Sequence, residues 1–199
     1  PGYAVDTLPN GDLLIGGVFT AYDENAAAHL AQVNTSGAFI RSISPSLDDD
    51  VISILRKPFG GVFLGGRFNT PGGLAHVTND WTIDTAFTDD GAAGSNPVYT
   101  LEFGPDGSLW VGGYFFSYNG SSSRPIVRLA SGVSPYDFWV AEQFTDSQID
   151  SGDADAEADP DGDGIVNLGE LALGTDPNEA DASSVFGSGN SSGLELVEV

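Results

Sequence analysis

The sequence predicts an all-β architecture of repeated short-strand units, followed by a small acidic module with short helices. Three observations predict it. One twelve-residue pattern recurs three times, acidic and basic residues are unevenly divided along the chain, and the base-free part contains a closely spaced ladder of aspartates.

The first copy of the pattern reads Leu8-Pro9-Asn10-Gly11-Asp12-Leu13-Leu14-Ile15-Gly16-Gly17-Val18-Phe19, the second runs from Lys57 to Phe68, and the third from Gly104 to Phe115. Pro9, Pro58 and Pro105 correspond, as do Gly11, Gly60 and Gly107, and then the pairs Gly16-Gly17, Gly65-Gly66 and Gly112-Gly113, at offsets of 49 and 47 residues. Apolar runs at Leu30–Val33, Leu74–Val77 and Ile126–Leu129 match as well. A fixed period of this length marks a repeat architecture.

Within one unit, Tyr3 to Leu8 is expected as a first strand, reversed by Pro9-Asn10-Gly11 because Asn and Gly tolerate positive φ. Asp12 to Ile15 reads as a second strand, buried on both faces by its continuous apolar run. The Gly-Gly pair ends it and lets backbones approach closely. Leu30 to Val33 and the alternating Phe39 to Ile43 supply a third and a fourth. Four short strands in 40–50 residues make a β-propeller blade. The expected fold is therefore a partial β-propeller of three blades of about 48 residues, over residues 1–133. Rings have about four or more blades, so further blades are expected upstream of Pro1.

The Pro-x-Gly turn, the Gly-Gly-x-Phe segment and the Ile126-Val127-Arg128-Leu129 strand together resemble the delta-60 repeat of bacterial surface and secreted proteins, over residues 3 to about 132. The resemblance implies a binding or structural array without established catalysis. Where that family usually has Arg in the third strand, the first two copies carry Gln32 and His76, and the third keeps Arg128.

Charge marks a boundary. With 6 Lys+Arg against 29 Asp+Glu, the formal charge is −23. Residues 1–128 hold 13 acids and all 6 bases; residues 129–199 hold 16 acids and no base. Such a balance argues against nucleic acid and anionic membranes as partners, and no apolar run approaches the length of a membrane span. With no Cys there is no disulfide or thiol chemistry.

Residues 134–158 open on Ser134-Pro135-Tyr136-Asp137, a helix start with Ser as cap, Pro at the first helical position and an acid three residues after the cap. Tyr136, Val140 and Phe144, with Trp139 beside them, share one helical face. Asp146 to Ala158 is expected as a solvated linker.

Residues 159–182 hold the sharpest chemical signal. Asp159-Pro160-Asp161-Gly162-Asp163-Gly164-Ile165-Val166-Asn167-Leu168-Gly169-Glu170 matches the EF-hand calcium loop D-x-D-x-D-G-x5-E at each defining position. A hard cation takes six to eight oxygens, and alternate residues of a tight loop can all point inward. Asp159, Asp161 and Asp163 supply carboxylates, Gly164 the sharp turn, Ile165 its carbonyl, Asn167 a ligand directly or through water, and Glu170 a bidentate closure from the first turn of an exit helix. Val166 stands where such loops bury an apolar anchor. The run from Asp159 to Asp181 resembles the bacterial type of thrombospondin type 3 repeat, which implies bound Ca2+ and extracellular residence. It is also similar to the calcium loop of a dockerin, but the second loop that dockerins pair with it is missing. Asp176 and Asp181 are left open as additional ligands. Residues 183–199 read as a Gly/Ser linker and the start of a further β domain.

Two functions follow as expectations. The first is a secreted or cell-surface, non-catalytic propeller that binds or scaffolds a protein or carbohydrate ligand through a calcium-stabilised array. The second is a fragment of a secreted enzyme, for example a polysaccharide-active one, with catalytic residues outside this chain. Neither a Ser-His-Asp order nor a G-x-S-x-G elbow is present, and His29 and His76 occupy non-equivalent repeat positions. Asp48-Asp49-Asp50 is expected as a solvated loop between blades.

Overall fold

The computed structural model describes residues 1–43, 47–69, 72–87 and 96–181. The expected linker and strand of residues 183–199 lie outside the described residues. The chain forms two compact units, Pro1–Pro135 and Tyr136–Val199.

The first unit contains three antiparallel sheets built to one plan. Strands β1 (Gly2–Thr7), β2 (Leu13–Gly17), β5 (Leu30–Val33) and β6 (Phe39–Ser42) form a sheet in the order β1-β2-β5-β6, with the short hairpin β3 (Ala21–Tyr22) and β4 (Asn25–Ala26) between β2 and β5. The second sheet is β7 (Val51–Arg56), β8 (Val62–Gly66) and β9 (Leu74–Val77). The third is β10 (Val98–Phe103), β11 (Leu109–Gly113) and β14 (Ile126–Leu129), with the hairpin β12 (Ser117–Tyr118) and β13 (Ser121–Ser122) inserted. Among the described residues, the fourth strand expected in each blade is complete in the first sheet alone. In the second it shrinks to a single bridge between Val77 and Ile83, after a turn in which Thr78, Asp80 and Thr82 bond through their side chains.

Each first hairpin closes in the same way. The amide of Leu8 donates to Asp12 O and that of Gly11 to Leu8 O; Lys57 and Gly61, Gly60 and Lys57, Gly104 and Ser108, and Gly107 and Gly104 repeat the pattern. Gly11, Gly60 and Gly107 have φ of 85°, 89° and 77°, the left-handed region the turn demands.

The Gly-Gly pairs end their strands, as expected from the sequence, and are still paired with the first strand of each sheet. In every copy the register slips by one residue there, at Gly2/Ala4, Val51/Ser53 and Val98/Thr100. The bulge turns one glycine toward the neighbouring sheet and packs the other on backbone. A Cβ on Gly16 or Gly65 would press on Val51 or Val98, which open the next sheet. A Cβ on Gly17, Gly66 or Gly113 would overlap the carbonyl oxygen of Pro1, Asp50 or Pro97. Those same carbonyls accept the amides of Val18, Arg67 and Tyr114, so each stays close by necessity.

The core lies between successive sheets. One cluster joins Leu8, Leu14, Leu30 and Ile43 to Val51, Val62, Leu64, Phe68, Ala75 and Val77; the next joins Phe63 and Leu74 to Val98, Leu101, Leu109, Val111 and Phe115. Strand alternation sends Val62 and Leu64 to one side of β8 and Phe63 to the other. β8 is accordingly buried throughout, whereas Leu13 and Ile15 of β2 are only half-buried. The second strand is thus enclosed on both faces only where a sheet packs on each side. At the positions of Phe63 and Leu74, the third sheet presents Trp110 and Ile126, 39% and 52% exposed.

The variable third-strand position is polar in every copy and is anchored differently each time. Gln32 donates to Asp12 Oδ2 and accepts from Arg41 Nε, both at 2.7 Å. Arg128 pairs with Asp106, whose carboxyl pKa the hydrogen bonds of Ser108, and then Arg128, bring down to about 2. His76 Nδ1 lies 2.8 Å from Asp84 Oδ2, with its ring among Phe63 and Phe87. The hydrogen bond from His76 is the main cause that holds Asp84 below the usual carboxylate range. Removing the acceptor strands a buried imidazole. Asp84→Ala is therefore expected to cost about 1–3 kcal/mol in urea unfolding at neutral pH, and an unchanged midpoint would show the pair to be idle.

Asp50 corrects the expectation of a solvated acidic loop. It is buried, its Oδ2 accepts from Arg67 Nη1 at 2.9 Å, and His29 Nδ1 stands 3.7 Å from Oδ1. The loop is drawn inward because the Asp50 carbonyl must meet the Arg67 amide at the bulge. Asp48 accepts the Asn69 amide at 2.7 Å.

The second unit holds helices α1 (Pro135–Gln143), α2 (Asp146–Ser151) and α3 (Asn167–Leu173). The apolar face read from the sequence forms a small core: Val140, Phe144 and Ala154 are buried, with Tyr136, Trp139 and Ile149 packed on them. The solvated linker expected over Asp146 to Ala158 is instead folded. Thr145 and Gln148 form a reciprocal capping box that starts α2, and Gly152, at φ 89°, ends it. Composition hid this helix, since its stability comes from caps and from Ala154 and Ile149 reaching the core.

Candidate metal centre

The acidic loop is shaped from its own backbone outward. Asp159 Oδ1 accepts the Gly162 amide and Oδ2 the Gly164 amide; Asp161 Oδ1 accepts from Asp163, and Asp163 Oδ1 from Ile165. These short-range bonds coil the chain tightly, which Gly162 and Gly164 permit at φ of 77° and 95°. The exit helix α3 starts at Asn167, and Gly174, in the left-handed conformation, stops it as expected, donating to Glu170 O.

Carboxylates converge here in two overlapping groups. Oxygens of Asp159, Asp161 and Asp163 lie within 4.8 Å of one another, and so do oxygens of Asp163, Glu170 and Asp181. Glu170 is fully buried. One of its oxygens faces Thr175 Oγ1 at 3.5 Å, and the other, Oε2, is buried without a hydrogen-bond partner. Asp161 Oδ2 and Asp181 Oδ2 are buried and unpartnered in the same way. Burial, reinforced by the charges of Asp161, Asp163 and Asp181, pushes Glu170 from the ordinary 4.5 up to about 7. Asp161 is raised as well, mainly by burial and also by Asp163 and Asp159. Orphaned carboxylate oxygens of this kind cost several kcal/mol unless something positive satisfies them. An oxygen-only donor set of hard anions fits a hard divalent cation.

The remaining loop positions are placed as follows. Ile165 is half-buried at the seventh loop position, its amide held by Asp163. Val166 is 40% exposed and buries no anchor; such an anchor needs a second loop to pack on, and none is described beside it. Asn167 is the buried residue instead. Its Nδ2 donates to the carbonyls of Asp153 and Asp155 at 2.7 and 2.8 Å, near the Tyr136 hydroxyl, and its Oδ1 is buried without a hydrogen-bond partner. Backbone bonds from Asn167 to Ala158 and from Leu168 to Ala156 close the base of the loop. Of the two residues left open, Asp181 joins the cluster and its amide donates to Asp163 Oδ2 at 2.9 Å, whereas Asp176 caps a turn by accepting from Asn178. The carbonyls of residues 153–158 gave no sequence signal, because a backbone oxygen is the same in every residue.

No curated protein and no solved structure matches this chain. Residues 8–39 and 104–132 match the family described as a domain of unknown function (DUF5122) beta-propeller, a family associated with delta-60 repeats. The matched segments are the first and third copies of the pattern, and the second, between them, has the same turn, bulge and strand pairing, so the first unit is a β-propeller segment.

Proposed function

We propose that the chain is part of a secreted or cell-surface, non-catalytic β-propeller protein that binds or scaffolds, stabilised by calcium in its acidic module. The observation that carries the calcium reading is Glu170: a fully buried carboxylate with an unpartnered oxygen, set among three aspartates. Asp159, Asp161, Asp163 and Glu170 would hold the ion, with the Ile165 carbonyl between them in sequence. Ca2+ fits better than Mg2+ because a flexible loop crowded with carboxylates suits a larger ion that sheds its water readily. The ion supplies charge neutralisation and cross-linking, not chemistry. Extracellular calcium modules bind at roughly 10⁻⁴–10⁻³ M, so the module would be ordered outside cells and labile in a resting cytosol.

Calorimetric titration of calcium into chelator-stripped protein, followed in parallel by the fluorescence of Trp139, tests this. One site per chain is expected, lost in Asp161→Ala and in Glu170→Ala. Absence of binding up to about 10 mM, beyond the weak end of the range for such modules, would remove calcium from the proposal.

A further inference from the structure

Resting on that calcium reading, we propose that Asp181, from outside the twelve-residue loop, completes the cation's shell beside Asp163 and Glu170, so that the ion fastens the loop to the returning residues 174–181. The ninth loop residue is fixed in place, its Nδ2 donating to the carbonyls of Asp153 and Asp155 while its Oδ1 stays buried without a partner. Asp181 meanwhile sits with Asp163 and Glu170, its oxygens within 4.8 Å of theirs. Its Oδ2 is buried and unpartnered beside the equally unpartnered Oε2 of fully buried Glu170. Like-charged groups brought so close without a proton or cation between them repel, so the arrangement makes sense only around a shared positive charge.

The path that delivers Asp181 is built independently of the ion. Asn178 donates to Gln143 O at 3.0 Å and accepts from Gln148 Nε2 at 2.6 Å. Gln148 is also the capping-box residue of α2. Residues 174–181 are therefore pinned to α1 and α2 at Asn178, and Asp181 arrives on a fixed track. Ion binding then sets the direction in which the chain leaves the module at Asp181.

The test uses the full chain, stripped of metal, with calcium as the probe. Asp181→Asn keeps the shape and the main-chain amide that Asp163 accepts, and removes one charge. It is expected to weaken calcium binding about tenfold or more, since affinity follows the charge count of the ligands. In the metal-free state it should melt at the same temperature as the unaltered protein or higher, because a repelling charge is gone. A merely structural Asp181 would lower metal-free stability and leave affinity unchanged. Calcium affinity of Asp181→Asn within twofold of the unaltered chain overturns the inference. If the unaltered chain takes up no calcium, the failure lies with the calcium reading itself.

Discussion

Gly66→Ala is expected to lower the stability of the propeller unit by about 3 kcal/mol or more, read as a shift in urea midpoint followed by tryptophan fluorescence. The cause is steric and has no easy relief. A methyl group at Gly66 would run into the Asp50 carbonyl oxygen and press on the Phe68 ring at 2.8 Å. The carbonyl cannot retreat, since it accepts the Arg67 amide and begins the strand that pairs with β8. The Asp50 side chain is tied to Arg67 as well. Gly65→Ala is the informative contrast. Its methyl would meet Val98 Cγ1 at 2.7 Å, a side chain that can be trimmed. Val98→Ala should therefore recover part of the loss from Gly65→Ala, giving a clear coupling term in a double-mutant cycle, and recover nothing from Gly66→Ala. A cost below about 1 kcal/mol for Gly66→Ala would mean that the bulge relaxes freely.

The second large effect is the inverse response of the acidic module to pH with and without calcium. In the metal-free protein Glu170 titrates near 7 instead of 4.5, so the folded state holds its proton more tightly than the unfolded chain does. Stability is then greatest below the unfolded value and falls as pH rises from about 4.5 to 7, by about 3 kcal/mol for that one group. Asp161 is displaced in the same direction and adds to the slope. Asp84 and Asp106 are shifted the other way, and their loss of stability comes at lower pH, below this window. Calcium requires the deprotonated carboxylates, so with millimolar calcium the module should gain stability over the same interval. Melting curves in chelator and in calcium at pH 5 and pH 8 would cross if this is right. Parallel curves would mean that Glu170 faces neither burial nor an ion.

The features legible from residues alone were those set by local rules. Pro9-Asn10-Gly11 and its copies announced a hairpin because positive φ at Gly11, Gly60 and Gly107 is a backbone demand that few residues meet. Tyr136, Val140 and Phe144 announced a helix face by spacing, and the alternation from Asp159 to Glu170 announced a tight loop that gathers carboxylates. The features that stayed hidden depend on partners distant in sequence. The burial of Asp50 is decided by Arg67, seventeen residues on. The half-burial of Ile15 against the full burial of Leu64 is decided by whether another sheet packs on that face, which the shared pattern of the two copies cannot report. Asn167 matched a ligand position by residue type, but the bonds of its Nδ2 to the carbonyls of Asp153 and Asp155 were hidden, because composition had left those residues in a linker. The departures from Arg at Gln32 and His76 likewise became intelligible only beside Arg41 and Asp84.

The clasp at the base of the acidic loop has a mechanical consequence. Tension arriving along residues 152–158 passes from the Ala158 carbonyl straight to the Asn167 amide, and from Ala156 to Leu168, with the Asn167 side chain sharing the load. Residues 159–166 hang outside that line of force as slack. A pulled molecule should therefore hold its length until the clasp parts and then release a single short step, roughly 25–30 Å for eight residues at full extension. The module is in this sense a fuse with its reserve of chain stored in the loop.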